Sequence, residues 1–338
     1  TEESATEDRS PFEGLPNFER EVRFTEVHNY FVSITENPAS SDLTRSVFTI
    51  SKEFIVRPQM DMRRLQSAVM TVIARHDALR TRFMQSAEGK WRAYLEKGLR
   101  PEDFVSIEEV PDETAARDRA TEIARQTMEV TERPLQVHIL RYGTEGDLVV
   151  SKAHHIVVDG YSLGLIMEEV VKAFIGFPLL PVGITTEQFY DEFYYAKETA
   201  EERDRYLREL FADPPPIPKL GRITKGLQPN HHAIDAGIGC FDNQILGAEQ
   251  YARLKETARE AGCTVPQLIA GAFGKAICRF GDVDEVVMLM PHSLRFERRL
   301  ENYVNSVASL IPVRVRASEE CDVAQVAVDV ANGLNKGL

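Results

Sequence analysis

The chain has 338 residues, 43% hydrophobic and 28% charged, with a formal net charge of −13. Length and composition fit a globular protein of about two domains, and the acidic balance argues against a nucleic-acid partner, which needs clustered Lys and Arg. No apolar run reaches the roughly 18 residues of a membrane span. Residues 1–13 are polar and acidic, unlike a signal peptide, so a cytoplasmic protein without membrane association is expected. Cys240, Cys263, Cys278 and Cys321 lack metal-ligand spacing; reduced thiols and no metal site are expected.

In chain order, residues 1–20 read as a loosely packed lead-in. Residues 61–74 carry Met62, Leu65, Val69, Val72 and Ile73 at helical spacing. A weaker helical pattern covers 114–128. Residues 135–140 and 148–153 read as strands, with Glu145-Gly146-Asp147 as the turn of a hairpin. A helix then starts at Ser162, its expected N-cap, with Leu163, Ile166, Met167, Val170, Val171 and Phe174 on one face. Two glycines and two prolines in 176–183 break that pattern and place a domain boundary between 1–177 and 178–338. A charged helical stretch over 187–211 stops at the proline-rich linker 213–218. Residues 248–261 form a helix ending at Gly262, and Thr264 with Gln267 makes a capping box for a helix to Phe280. Residues 285–290 and 310–316 are strands. The class is α/β (α+β).

The segment Ala153-His154-His155-Ile156-Val157-Val158-Asp159-Gly160 lies where an apolar strand ends and a helical period begins. Histidine titrates closest to neutrality, so it can take and return a proton at physiological pH. A second pair, His231-His232, precedes Asp235 by a different spacing; it reads as a loop entering a strand.

The pattern HHxxxDG resembles the active-site motif of condensation domains of nonribosomal peptide synthetases, in the chloramphenicol-acetyltransferase-like superfamily. Arg75-His76-Asp77-Ala78-Leu79-Arg80-Thr81-Arg82-Phe83 is similar to that family's RHExLRTxF, with Asp77 for Glu. Pro291-His292-Ser293-Leu294-Arg295 is similar to its P-V-S-G-R, and the stretch from Leu300-Glu301-Asn302 to Ile311-Pro312-Val313-Arg314-Val315 to its segment ending N-T-L-P-L-R-V. The matches keep the family's order along the chain.

The resemblance implies two acyltransferase-like lobes in a V around a central channel. The chain begins at Thr1 and reaches no D-F-G-W-G-like segment, so an excised piece with an incomplete C-terminal lobe is expected. The implied reaction is acyl transfer from a thioester on the phosphopantetheine arm of an acyl or peptidyl carrier protein. The acceptor is an amine or hydroxyl, free or carrier-bound. No tightly bound cofactor is implied, and the default is a monomer or a domain of a multidomain synthetase. His155 is the expected proton acceptor at the channel. His154 is expected to be buried in support of the loop. Asp159 is expected to make a buried salt bridge with Arg295, or failing that Arg80. Gly160 is expected to allow a tight turn and to offer its N–H to an oxyanion.

The proton task depends on the acceptor. An α-amino group with a pKa of about 8 is roughly a tenth neutral at pH 7, so His155 would mainly orient it. A hydroxyl, with a pKa nearer the ~15.7 of water, needs a base in the transition state. Ser309 and Leu310 stand where the family has Asn and Thr, and Thr25, Glu26, Val27 and His28 occupy an early Ser-x-x-Gln motif. These departures favour an unusual acceptor or a stand-alone ester- or amide-forming enzyme; the rivals are an O-acyltransferase using a free alcohol or acyl-CoA, a silent recruitment domain, and an epimerisation domain, which shares a similar motif. Arg63 with Arg64, and Arg295 with Arg298 and Arg299, are the candidate basic patches for an acidic carrier, against the plainer reading of solvated faces.

Overall fold

A computed structural model describes residues 17–41, 45–86, 88–194, 197–219, 246–318 and 320–337. His231, His232 and Cys240 lie outside the described residues. The chain divides into two compact units. Among the described residues, the first takes those from 17 to 189 and Arg295–Val307; the second takes those of 190–219, 246–294 and 308–337.

In the first unit, strands β1 (Phe18–Val22), β3 (Thr81–Gln85) and β4 (Trp91–Glu96) form a three-stranded sheet in the order β1-β4-β3. The lead-in expected over 1–20 therefore gives way to a paired strand at Phe18. A four-stranded sheet has the order β2 (Thr49–Val56), β7 (Gly146–His154), β6 (Leu135–Tyr142), β5 (Val105–Val110). All its pairs are antiparallel except β5–β6. The unit's longer helices among the described residues are α1 (Glu26–Thr35), α2 (Met62–Arg75), α3 (Glu113–Arg125) and α4 (Gly160–Ile175), beside single turns at Asp77–Arg80 and Thr186–Phe189.

Strand β7 is buried along its whole length. Side chains alternate between the faces of a strand, and both faces here are covered. Val149 and Ala153 share a core with Leu65, Val69, Val72 and Ile73 of α2 and with Leu163, Ile166 and Val170 of α4. Leu148 and Val150 meet Ala116, Ala120 and Ile123 of α3. Each large aliphatic side chain so buried stabilises by roughly 1.5–3 kcal/mol. With both faces covered, β7 shows no alternation of apolar and polar residues, and even its polar Asp147, Ser151, Lys152 and His154 are buried.

The β6–β7 hairpin turns two residues earlier than the sequence suggests. Tyr142 pairs with Gly146, so the loop is 143–145, with Gly143 at φ +51°. Gly146 is a strand residue whose Cβ would fall 2.7 Å from the Val56 carbonyl. Helix α4 also begins earlier than expected. Its N-cap is Asp159, whose side chain accepts the Ser162 N–H; Ser162 lies inside the first turn. Gly176 closes the helix in the left-handed conformation at φ 78°.

The second unit holds the antiparallel pair β8 (Glu285–His292) and β9 (Ser309–Arg316), and helices α5 (Lys197–Leu210), α6 (Ala248–Glu260), α7 (Val265–Gly281) and α8 (Val323–Gly337). The continuous helix expected over 187–211 is instead a short turn at Thr186–Phe189, a π-helical turn at Tyr190–Tyr194, and α5. Both halves of the Thr264–Gln267 capping box are present at α7. Val286, Met288, Val313 and Val315 of the strands pack with Cys278, Val326, Val330 and Leu334. After β8, Leu294 has φ +53°, a conformation that costs a non-glycine residue about 1–2 kcal/mol. The His292 ring offsets part of this by accepting the Leu294 N–H on Nδ1 at 3.0 Å.

Candidate active site in the HHxxxDG segment

The first unit brings together His154, His155, Asp159, Gly160 and Arg295. Strand β7 ends at His154, and α4 begins after Asp159, so the intervening residues form a loop pinned at both ends. The His155 N–H donates to the Phe48 carbonyl at 2.7 Å and the His154 N–H to the Pro134 carbonyl at 3.0 Å. Ile156, Val157 and Val158 point into the core. Apolar residues between the histidines and the aspartate thus anchor the loop from beneath.

Asp159 is the hub. Its side chain is 1% exposed and that of Arg295 is 2% exposed. The guanidinium donates from Nη1 to Oδ2 at 2.9 Å and from Nη2 to Oδ1 at 3.1 Å. Ser162 N–H donates to Oδ1 at 2.8 Å and Val307 N–H to Oδ2 at 3.0 Å. The carboxylate therefore caps a helix, neutralises a cation and ties down residue 307 at once. Arg295 also donates from Nη2 to Ser162 Oγ at 2.8 Å and lies 4.5 Å over the Tyr161 ring. Such a pair, with its lone pairs satisfied, resists loss of either partner by about 3–5 kcal/mol. Arg80, the runner-up from sequence, instead pairs with Asp77 at 2.8 Å and Glu19 at 3.3 Å. Its burial also removes Arg295 from any surface basic patch, and Arg299 pairs with Glu297 at 3.0 Å.

His154 is 1% exposed. Its Nδ1 accepts the Ile156 N–H at 3.0 Å, which places the proton of the neutral ring on Nε2. That atom has no hydrogen-bond partner among the described residues. Burial, with the neighbouring His155 ring, pushes its pKa down to about 4. His155 is half-buried. Burial pushes its pKa below the ordinary histidine value, while the Asp159 carboxylate opposes the shift. Its ring stacks on Phe31 with centroids 6.3 Å apart and planes 8° apart. No hydrogen bond to this ring is present among the described residues.

Gly160 is the first residue of α4. It has no left-handed φ, and a Cβ there would meet open space. The tight turn expected of it is absent. What glycine leaves is an uncovered helix N-terminus, where amide groups lack intrahelical partners.

Ser162 and Asn305 escape a reading by motif. Ser162 Oγ donates to the Asn305 carbonyl at 2.8 Å and accepts the Asn305 N–H at 3.2 Å. A hydroxyl in the apolar face of α4 is the one signal that could have marked Ser162. The Arg75-His76 segment lies apart from this hub. Both residues bind Glu169 of α4, Arg75 through two bonds of 3.1 Å and His76 through one of 2.8 Å, so the segment clamps α2 to α4. The degenerate early motif is a capping box: Thr25 Oγ1 accepts the His28 N–H, and His28 Nδ1 accepts the Thr25 N–H. Among the described residues, no group of three or more His, Cys, Asp or Glu could hold a metal, and no helix is long and apolar enough to cross a membrane.

The condensation-domain family model matches residues 39–338. Bacitracin synthase 3 of Bacillus licheniformis is 23% identical over 278 residues, 81% of this chain and 4% of that protein. Gramicidin S synthase 2 of Brevibacillus brevis is 23% identical over 282 residues, 81% of this chain and 6% of that protein. The chain thus spans under a tenth of the length of these relatives. In fold it is similar to the condensation domain of the Monacolin K polyketide synthase MokA, with a TM-score of 0.76 at 17% identity over 95% of this chain and 74% of that one. It is also similar to the X-domain from teicoplanin biosynthesis, with a TM-score of 0.69 at 18% identity over 94% of this chain and 71% of that one. A match over nearly the whole chain, on a mixed α/β fold that buries Asp159 against Arg295, has one reading: the chain belongs to the condensation-domain family of natural-product synthetases.

Proposed function

We propose that the chain is a condensation-type acyltransferase that joins a carrier-bound acyl or peptidyl thioester to an amine or hydroxyl acceptor. The observation that carries this reading is the state of His155. Burial favours its neutral form, and no side chain among the described residues occupies its ring nitrogens. A neutral imidazole is a competent proton acceptor at pH 7.

In the proposed reaction the acceptor nitrogen or oxygen attacks the thioester carbonyl carbon. The acceptor's proton passes to His155 as the new bond forms. The C–S bond then breaks, and the proton leaves with the thiolate to give the free phosphopantetheine thiol. Asp159 and Arg295 take no proton. Their pairing fixes the loop, so that His155 is aligned before substrate arrives. The uncovered N-terminus of α4 beside Gly160 offers amide groups to the tetrahedral oxyanion. The phosphopantetheine arm belongs to the substrate, and the carrier protein is the proposed partner.

The test is transfer by the full-length protein from a carrier-bound thioester to a panel of amines and alcohols, beside His155→Ala. The expected result is product with wild type and a loss of about 10²–10⁴-fold in the variant for a hydroxyl acceptor, with a smaller loss for an amine. A folded wild type that transfers to no acceptor on the panel would overturn the reading in favour of a recruitment role.

A further inference from the structure

We infer that Phe31 of α1 is a positioning residue for His155, its ring setting the plane in which the imidazole presents its nitrogens. This rests on the acyl-transfer reading for its kinetic arm and on geometry alone for its spectroscopic arm.

The backbone of His155 is fixed by the bond from its N–H to the Phe48 carbonyl. That bond leaves the side-chain torsions free. The torsion that turns an imidazole plane is broad and two-fold, so packing or hydrogen bonding must choose its value. With no hydrogen bond to the ring among the described residues, packing decides. The Phe31 ring supplies a flat wall parallel to the imidazole within 8°, at a centroid distance of 6.3 Å, inside the range of an offset stack.

The wall is itself held rigid. Phe31 is 8% exposed, and Phe48 meets it edge-on at 5.0 Å. The same Phe31 ring meets His154 edge-on at 6.3 Å, so one aromatic side chain touches both histidines of the motif in two different orientations. Helix α1, which carries Phe31, is fixed at its start by the Thr25–His28 box. His28 in turn sits edge-on to Phe83 at 4.9 Å. The sequence segment that departs from the family's early motif therefore anchors the element that delivers Phe31.

The Phe31 ring is part of the apolar surroundings of the half-buried imidazole. Among the described residues, the titratable groups that act on His155 are the Asp159 carboxylate and the His154 ring; Phe31 also packs on His154, so the His154 titration is followed beside that of His155.

The experiment compares wild type with Phe31→Leu, which keeps apolar bulk and removes the flat face, and Phe31→Tyr, which restores the face. Val32→Ala, a buried neighbour on α1, controls for destabilisation alone. Two quantities are read: transfer kcat and KM, and the NMR titration of His155, with that of His154 beside it. For Phe31→Leu, kcat should fall about tenfold or more, as for a misaligned base, with KM little changed. The His155 titration should move up toward the ordinary histidine range. Phe31→Tyr should recover most of both, and Val32→Ala should lower the unfolding midpoint while leaving kcat and the titration in place. An unmoved His155 titration in a folded Phe31→Leu protein would overturn the inference. So would a Val32→Ala effect on kcat equal to that of Phe31→Leu. Failure of wild type to transfer would fall on the acyl-transfer reading, and the titration would still decide the role of Phe31.

Discussion

Asp159 and Arg295 are 136 positions apart in sequence and meet through two N–H···O bonds of 2.9 and 3.1 Å in a nearly water-free setting. This bidentate pair closes the loop that carries His155. Arg295→Lys keeps the charge but loses the planar fork. We expect it to lower stability by about 2–3 kcal/mol, by the usual weight of hydrogen bonds to charged groups. Arg295→Ala should cost about 3–5 kcal/mol by stranding a buried carboxylate. Chemical denaturation of the two variants checks the order; equal losses would deny the importance of the fork.

The buried histidines predict acid sensitivity. Burial holds His28 at about 3 and His154 at about 4, against 6.5 for the free side chain. The unfolded chain therefore binds more protons than the native one below about pH 6.5, and stability falls with falling pH. The contribution is complete above 6.5 and declines down to the folded values. From pH 7.5 to 5.5 the two rings together should lose roughly 2–3 kcal/mol. Denaturation curves at the two pH values measure it, and His28→Gln should flatten the dependence by about half. A pH-independent midpoint across this window would mean that one or both rings are wet.

Glu169 ties α2 to α4 through Arg75 and His76. Burial would raise its pKa, but the His76 and Arg75 partners outweigh that and hold it below the usual glutamate value. Glu169→Gln should cost about 2–4 kcal/mol, since it leaves a cation half-buried beside a neutral amide. We expect the loss in unfolding free energy to exceed any loss in kcat, because Glu169 lies away from the His155 ring. A variant of normal stability would show the clamp to be dispensable.

His292 and Leu294 form a compensating pair. His292→Val removes the acceptor for the Leu294 N–H and should destabilise by about 1 kcal/mol. The same change in a Leu294→Gly background should cost less, because glycine adopts the left-handed turn unaided. The double-mutant cycle reads the coupling directly; strict additivity would refute it.

Much of the candidate site was legible in one dimension. The spacing HHxxxDG named His154, His155, Asp159 and Gly160 together because a strand end and a helix start are local events. Arg295 was found by the order of motifs and not by spacing; nothing in composition says which arginine of forty basic residues enters the core. Glycine conformations were harder to place. Gly160 was expected in a tight turn and instead begins a helix, while the turn expected at Gly146 falls at Gly143. Either glycine suits either position by propensity alone, and strand register decided between them.

The sequence by itself determined the alternation of apolar patterns that makes these helices and strands, the two histidines at the end of a buried strand, and an acidic composition with no long apolar run. These follow from periodicity and charge, which are properties of short windows. Only the tertiary structure decided between Arg295 and Arg80 at Asp159, and only it brought Val307 to Asp159, Glu169 to His76, and Phe31 against the face of His155. Such contacts join residues tens to more than a hundred positions apart. Their energy comes from desolvation and geometry, which exist only once the chain has closed around them.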